Sequence, residues 1–387
     1  MIAIVVVGYD RADSMKRLLN SLAKSYYDNE EVELVISIDK GKNQDKVIKV
    51  ANDFQWDFGN KNIRIYDKKQ GLRRHILQCG DLTKKYDAVV VLEDDLIVSP
   101  AFYRYLKEAI KYYDKDINIA GISLYSYRVN EFCNKLFQPA YNGYDTYMMQ
   151  VAQSWGQCWT KRMWEEFRKW KYSDNEIIQL DTKMPENIYH WGKSSWKKNF
   201  MAYIVEEKKF FVYPYYSYTT NCSEIGEHRS FTTSDYQVQL VENQTKWRMA
   251  PFEKSIKYDI FFERLDIKIL NEKYKDKKIC LDLYGMKKNF ENADLLFSKK
   301  KLPYSLIQEI GLIYRPQEVN CTHLILGKGF YLYDLHIKSK KPCNKNNEYI
   351  LYEYQFPGIN WHFCLKYVKY RFIKAIKLRL ERIIKLK

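Results

Sequence analysis

Val89-Val90-Val91-Leu92-Glu93-Asp94-Asp95-Leu96 is the stretch that decides how this chain is read. Its four apolar, mostly β-branched residues form a strand buried on both faces, as in the middle of a parallel sheet. Three carboxylates follow at once, so they emerge at the carboxyl edge of that sheet, where open α/β folds bind ligands. Like charges packed this closely are unfavourable unless a cation or hydrogen-bond donors compensate. Hard oxygen ligands suit Mg2+ or Mn2+, held through one or two carboxylates and completed by water and substrate phosphates. On a nucleoside diphosphate leaving group, such a cation neutralises the charge that develops. A solvated acidic turn is the bland reading of the triplet, and its place after a buried strand favours the functional one.

Outward from this stretch, residues 2–125 alternate strand and helix. Ile2–Val7, Val32–Ile38, Ile63–Tyr66, Ala88–Leu92 and Ile117–Ser123 read as strands. Met15, Leu18, Leu19 and Leu22 share one helix face, and Val47, Ile48, Ala51 and Phe54 mark another helix. Leu72–Lys85 is expected to be helical, and Ser99-Pro100 to start a helix as N-cap and first residue. This alternation predicts a doubly wound, mostly parallel α/β sheet. There is no G-x-G-x-x-G and no P-loop, so the common dinucleotide and triphosphate sites lack support. Residues 126–250 are rich in Tyr and Trp, with Thr160 as a helix N-cap, a helix over Ser194–Val205 and a strand at Phe211–Tyr216. Residues 251–363 read as a small α/β appendage with strands near Ile279–Tyr284 and Thr322–Leu326.

Composition bounds the class. The chain has 387 residues, 46% hydrophobic and 29% charged, with 15 Gly and 9 Pro, which excludes collagen-like and disordered proteins. No apolar run reaches the roughly 18 residues of a membrane span. Eight scattered cysteines without a C-x-x-C pair read as reduced thiols, and with no basic segment ahead of the first strand the expected address is the cytoplasm. Net charge is +16, and half of it lies in residues 364–387, where nine Lys and Arg face one Glu. Basicity outside that tail is too diffuse to argue for nucleic acid, and no nucleic-acid partner is expected.

In order along the chain, Val5–Arg11, Ser37-Ile38-Asp39, Gln70-Gly71-Leu72-Arg73-Arg74, Leu92–Leu96 with Ser99-Pro100, Ser154–Trp159, and Asn221 with Gly226-Glu227-His228 resemble one pattern. It is that of GT-A fold glycosyltransferases of the family-2-like and N-acetylglucosaminyltransferase I-like kind, especially bacterial capsule and surface-polysaccharide enzymes. The resemblance spans about residues 2–231 and implies a transfer from a nucleotide-diphosphate sugar, a UDP-sugar by preference, to a glycan or lipid-linked saccharide. It implies Asp95 as direct metal ligand with His228 as a second ligand, and Mn2+ or Mg2+ as the ion. Asp94 would contact the ribose, Glu93 the donor sugar, Asp39 the nucleobase, and Arg11, Arg73 and Arg74 the diphosphate. Trp155 and Gly156 would line the acceptor site. Where the resemblance calls for a catalytic Asp after a Trp, this chain has Trp196-Lys197. A protonated lysine cannot be that base, so Asp174, Asp181 and Glu224 are the candidates, with Asp181 preferred and Glu224 kept beside it. A nucleotidyltransferase acting on sugar phosphates, or a basic nucleic-acid-binding protein, is the alternative class.

The expected organisation is a catalytic domain over 1–250, divided at 125 into a nucleotide-sugar half and an acceptor half, then the appendage over 251–363 and a tail over 364–387. In the tail, Leu365, Val368, Phe372, Ile376, Leu380 and Ile383 recur every three or four residues among basic ones. This is a basic amphipathic helix suited to an anionic membrane surface, which makes the protein peripheral on the inner face of the cytoplasmic membrane.

Overall fold

The structure is a computed structural model, and it describes residues 1–170, 183–224, 234–290, 292–341, 347–356, 358 and 360–385. The chain opens with β1 (Ile2–Gly8), α1 (Ala12–Leu22), β2 (Glu33–Ile38), α2 (Gln44–Asp53), β3 (Lys61–Ile65), α3 (Leu72–Gly80), β4 (Ala88–Glu93), β5 (Leu96–Val98), α4 (Phe102–Tyr113) and β6 (Ile119–Ser123). A second stretch supplies the hairpin β7 (Val129–Asn130) and β8 (Lys135–Leu136), then β9 (Thr146–Met149), β10 (Gln157–Thr160), α5 (Lys161–Lys169), α6 (Glu186–Tyr189), α7 (Trp196–Glu206), β11 (Phe210–Pro214) and β12 (Thr219–Asn221). These build a nine-stranded sheet in the order β13-β9-β11-β6-β10-β4-β1-β2-β3, whose edge strand β13 is Lys257–Tyr258. The segment β3-β2-β1-β4 is parallel, and β10 runs antiparallel between β4 and β6.

Continuous apolar runs allow both faces of the sheet to be covered. Val90 and Leu92 of β4 pack with Ile4, Met15, Leu18 and Leu106 on the side of α1, α2 and α4. Val89 and Val91 pack with Ile76, Trp164, Phe167 and Phe200 on the side of α3, α5 and α7. All four β4 residues are fully buried. Each such side chain contributes about 1.5–3 kcal/mol, which pins the register of the strand that delivers the acids.

Two local expectations change. Ser99 does not cap a helix that begins at Pro100. Its hydroxyl accepts from Ala101 N at 3.0 Å and donates to the carbonyl of Val241, and α4 starts at Phe102. The predicted strand near Thr322–Leu326 is instead the end of α8 (Glu318–Thr322) followed by a turn, with only one bridge, from Leu326 to Ile310. The Asn320 side chain braces the segment that enters α8: it accepts from Ile313 N and Tyr314 N, both at 2.9 Å, and donates to the carbonyls of Tyr314 and Gln317. The four-stranded C-terminal sheet is β14 (Ile279–Asp282), β15 (Leu295–Ser298), β17 (Phe330–Lys338) and β16 (Tyr304–Ile310), in that order. Helices α9 (Asn347–Gln355) and α10 (Trp361–Lys385) follow. Trp361, Leu365, Val368 and Phe372 of α10 are all more than half exposed, and among the described residues no helix is long and apolar enough to cross a membrane.

His75 in α3 is 2% exposed, and its Nε2 lies 2.7 Å from Ser37 Oγ of β2. Burial holds its pKa down at about 4, against about 6.5 when solvated. The folded chain therefore refuses a proton that the unfolded chain accepts. Stability is complete above the unfolded pKa and is lost as pH falls towards about 4, by up to about 3 kcal/mol from this group. Urea unfolding across that range is expected to show this loss, and His75→Gln is expected to flatten it. An unchanged slope in the variant would remove His75 as its source.

Candidate active site

The parallel register of β1 and β4, with Val6 opposite Leu92 and Val7 opposite Glu93, sets the chain after β1 beside the acids after β4. Arg11 closes the gap. Its Nε donates to Asp94 Oδ2 at 3.3 Å, its Nη1 to Asp95 Oδ2 at 3.2 Å, and its Nη2 to Asp94 Oδ1. The guanidinium expected at a diphosphate is the counter-ion of the acidic pair. Burial still pushes the Asp94 carboxyl up, to about 6, against the pull of Arg11.

The triplet does not present three like charges to one point. Glu93 is still in β4, so its side chain falls on the face of Val89 and Val91, and that of Asp94 falls on the face of Val90 and Leu92. Burial, reinforced by Asp95 and Asp94, raises the Glu93 carboxyl to about 8, so it keeps its proton at neutral pH. Asp95 differs from both. Its Oδ1 is buried and has no hydrogen-bond partner among the described residues, while its carbonyl accepts from Cys222 N at 2.8 Å. That contact and the antiparallel pair β5–β12 fix the backbone under it.

An orphaned anionic oxygen beside a guanidinium fits a hard divalent cation bound through a single protein carboxylate. Among the described residues no three His, Cys, Asp or Glu side chains converge as a metal cage. His228, Asp174 and Asp181 lie outside the described residues.

Asp39, at the end of β2, is 4% exposed. Its Oδ1 accepts from Lys40 N at 2.8 Å and Gln70 N at 2.7 Å, and its Oδ2 from Gly71 N at 2.9 Å. It staples the loop that opens α3, and Gly71 takes φ +77° there, a conformation that costs glycine little. Arg73 and Arg74, one turn on, line a cavity of about 630 Å³ together with Arg168 and Lys193.

Trp155, expected at the acceptor, packs edge-on against Tyr125 at 4.8 Å and Tyr127 at 6.0 Å. Gly156 has φ +96°, and a Cβ there would meet Thr219 Cγ2 at 2.8 Å. Glycine lets the turn approach β12, where Thr219 Oγ1 donates to the Trp155 carbonyl at 2.6 Å. Trp159 is fully buried against Trp164 and Phe200 and belongs to the core.

Glu224 is engaged elsewhere. It accepts from Arg17 Nη1 at 2.7 Å, Arg17 Nη2 at 2.8 Å and Ser14 Oγ, and Arg17 holds its carboxyl below the usual range. Lys197 is buried and donates to both oxygens of Glu131, at 2.6 and 2.8 Å, and Tyr127 OH donates to the same carboxylate at 2.8 Å. Tyr127 also packs on Trp155, and Lys197 Nζ lies 6.0 Å from the Trp155 ring centroid. Glu131 was invisible in the sequence because it sits in no motif. The one signal was Lys197, a lysine at a buried helix start that demanded a carboxylate partner.

Residues 3–182 match the sequence profile of the family described as Glycosyl transferase family 2. The matched stretch, just under half of the chain, runs from β1 past the end of α5 and so includes Arg11, Asp39 and the Glu93–Asp95 triplet. No curated protein matches the sequence. Among solved structures, TarS 1–349 of S. aureus in complex with UDP-GlcNAc is 16% identical with a TM-score of 0.36, covering 59% of this chain and 60% of that one. Mannosyltransferase PcManGT of Pyrobaculum calidifontis, in complex with GDP-Man and Mn2+, is 12% identical with a TM-score of 0.32, covering 44% and 46%. A cytidylyltransferase of Leptospira borgpetersenii is 14% identical with a TM-score of 0.31, covering 55% and 74%. The chain thus spans between about half and three fifths of the length of these two transferases.

Proposed function

We propose that the chain transfers a sugar from a nucleotide-diphosphate donor, a UDP-sugar by preference, to a saccharide or lipid-linked glycan of a bacterial surface polysaccharide. The observation that carries this reading is the orphaned buried oxygen of Asp95 beside the Arg11 fork, at the carboxyl edge of a sheet with a family 2 glycosyltransferase profile. Asp95 would hold Mn2+ or Mg2+, which when bound supplies positive charge against the departing diphosphate. Arg11 has a planar fork able to exchange Asp95 for a phosphate oxygen. Asp39 retains acceptor capacity on Oδ2, suited to an imide N–H such as that of uracil.

Transfer forms a bond from the acceptor oxygen to the anomeric carbon, breaks the bond from that carbon to phosphate, and releases the hydroxyl proton. We assign the proton to Glu131, whose carboxylate Lys197 holds at 2.6 Å beside Trp155. The exposed basic face and apolar stripe of α10 support docking on an anionic membrane.

Asp95→Asn is expected to abolish transfer and metal-dependent nucleotide binding while the protein stays folded. Calorimetric titration of UDP with and without Mn2+ checks this, and unchanged metal-dependent affinity would sink the Asp95 assignment. Glu131→Gln is expected to lower kcat at least about a hundredfold with donor affinity retained. Full activity in this variant would place the base elsewhere. Deleting residues 361–387 is expected to release the protein from anionic vesicles and leave donor hydrolysis nearly intact. Vesicle co-sedimentation should also weaken with salt, since charge attraction is screened over about 8 Å at physiological ionic strength. Loss of folding on truncation would instead make α10 part of the core.

A further inference from the structure

The cavity of about 630 Å³ beside α3 lies within the range of ligand sites, and it is lined by Arg73 and Arg74, which the resemblance places at the diphosphate, and not by Arg11 or Asp95. Its walls come from both halves of the catalytic domain. Gln70, Arg73, Arg74 and Asp81 belong to α3 and its flanks, Arg168 to α5, and Lys193 to the turn before α7. Its charge is unbalanced. Asp81, the one carboxylate among these, is already held by Arg168 Nη2 and Trp164 Nε1, both at 2.9 Å. Arg73, Arg74 and Lys193 have no carboxylate partner among the described residues, and Arg73 Nη2 is buried with no hydrogen-bond partner there.

The topology adds to this charge. α3 runs from the end of β3 to the start of β4, and α7 runs to the start of β11, which is parallel to β6. β6 and β4 are each antiparallel to β10 and so parallel to each other. Both helices therefore point their N-termini to the carboxyl edge of the sheet, and their partial positive charges add to the three cations there.

We propose that this cavity is an anion subsite for the acceptor, taking a phosphate or carboxylate group carried by the saccharide that receives the sugar. This rests on the transferase reading above. The acceptor is the better occupant because the donor's charge already has Arg11 and Asp95 at the ends of β1 and β4, whereas Lys193 and Arg168 come from the acceptor half. The substrate class is then an acidic or phosphate-bearing glycan.

Calorimetry on the full chain, with inorganic phosphate, hexagalacturonate, uncharged maltohexaose and UDP as probes, tests this. Lys193 is exposed, so Lys193→Glu does not threaten the fold. The variant is expected to weaken phosphate and hexagalacturonate binding about tenfold and UDP binding by less than about twofold, with Lys193→Arg restoring the wild-type values. Maltohexaose should bind more weakly than hexagalacturonate. The proposal is overturned if neither anion binds the wild type at millimolar concentration, or if Lys193→Glu leaves both unchanged. It is also overturned if UDP affinity falls by the same factor, which would give the cavity to the donor. Failure of UDP to bind the wild type at all would count against the transferase reading, whatever the anions do.

Discussion

The contact on which the site depends is the Arg11 guanidinium between Asp94 and Asp95. Two adjacent carboxylates at the end of a buried strand are a liability for folding, because burial penalises each charge and each penalises the other. Arg11 offsets both from the neighbouring strand end, at the cost of burying its own charge. The arrangement is poised: Asp94 is fully satisfied, while Asp95 keeps one buried oxygen without a partner. A divalent cation at Asp95 and a diphosphate at Arg11, as proposed above, would each meet a group of complementary charge.

Glu93 completes this arrangement by being neutral. With its carboxyl raised to about 8 by burial, it adds little charge near pH 7 to the pair that Arg11 binds. Burial is the main cause, with the Asp95 and Asp94 charges adding to it, and the two-residue period of the strand puts Glu93 on the face of Val89 and Val91. The same period aims Glu93 at the side of the sheet where Lys197, Glu131 and Trp155 gather.

The region around Trp155 is held by a different physics. Aromatic rings supply its bulk, and the polar groups among them are paired tightly, as Lys197 with Glu131 and Tyr127. Removing one partner of such a pair leaves an uncompensated buried charge, so the pair is maintained or replaced as a unit. The cavity beside α3 is the opposite case, since Arg73, Arg74 and Lys193 line it with no carboxylate partner among the described residues.

The strand that ends in Glu93-Asp94-Asp95, the α/β alternation around it, and the placing of Arg11, Asp39 and Asp95 after successive strands were all legible in the amino-acid order. These follow from apolar periodicity and strand direction, which are local properties of the chain. That order also showed that Lys197 could not serve as the base. Only the tertiary structure decided that Arg11 binds the acids, that Asp39 staples the 70–71 loop, that Glu224 belongs to Arg17, and that Glu131 answers Lys197. Glu131 and Lys197 are 66 residues apart, and Arg17 and Glu224 are 207 apart. Pairing over such distances is set by how helices pack on the sheet, which no local pattern of residues encodes.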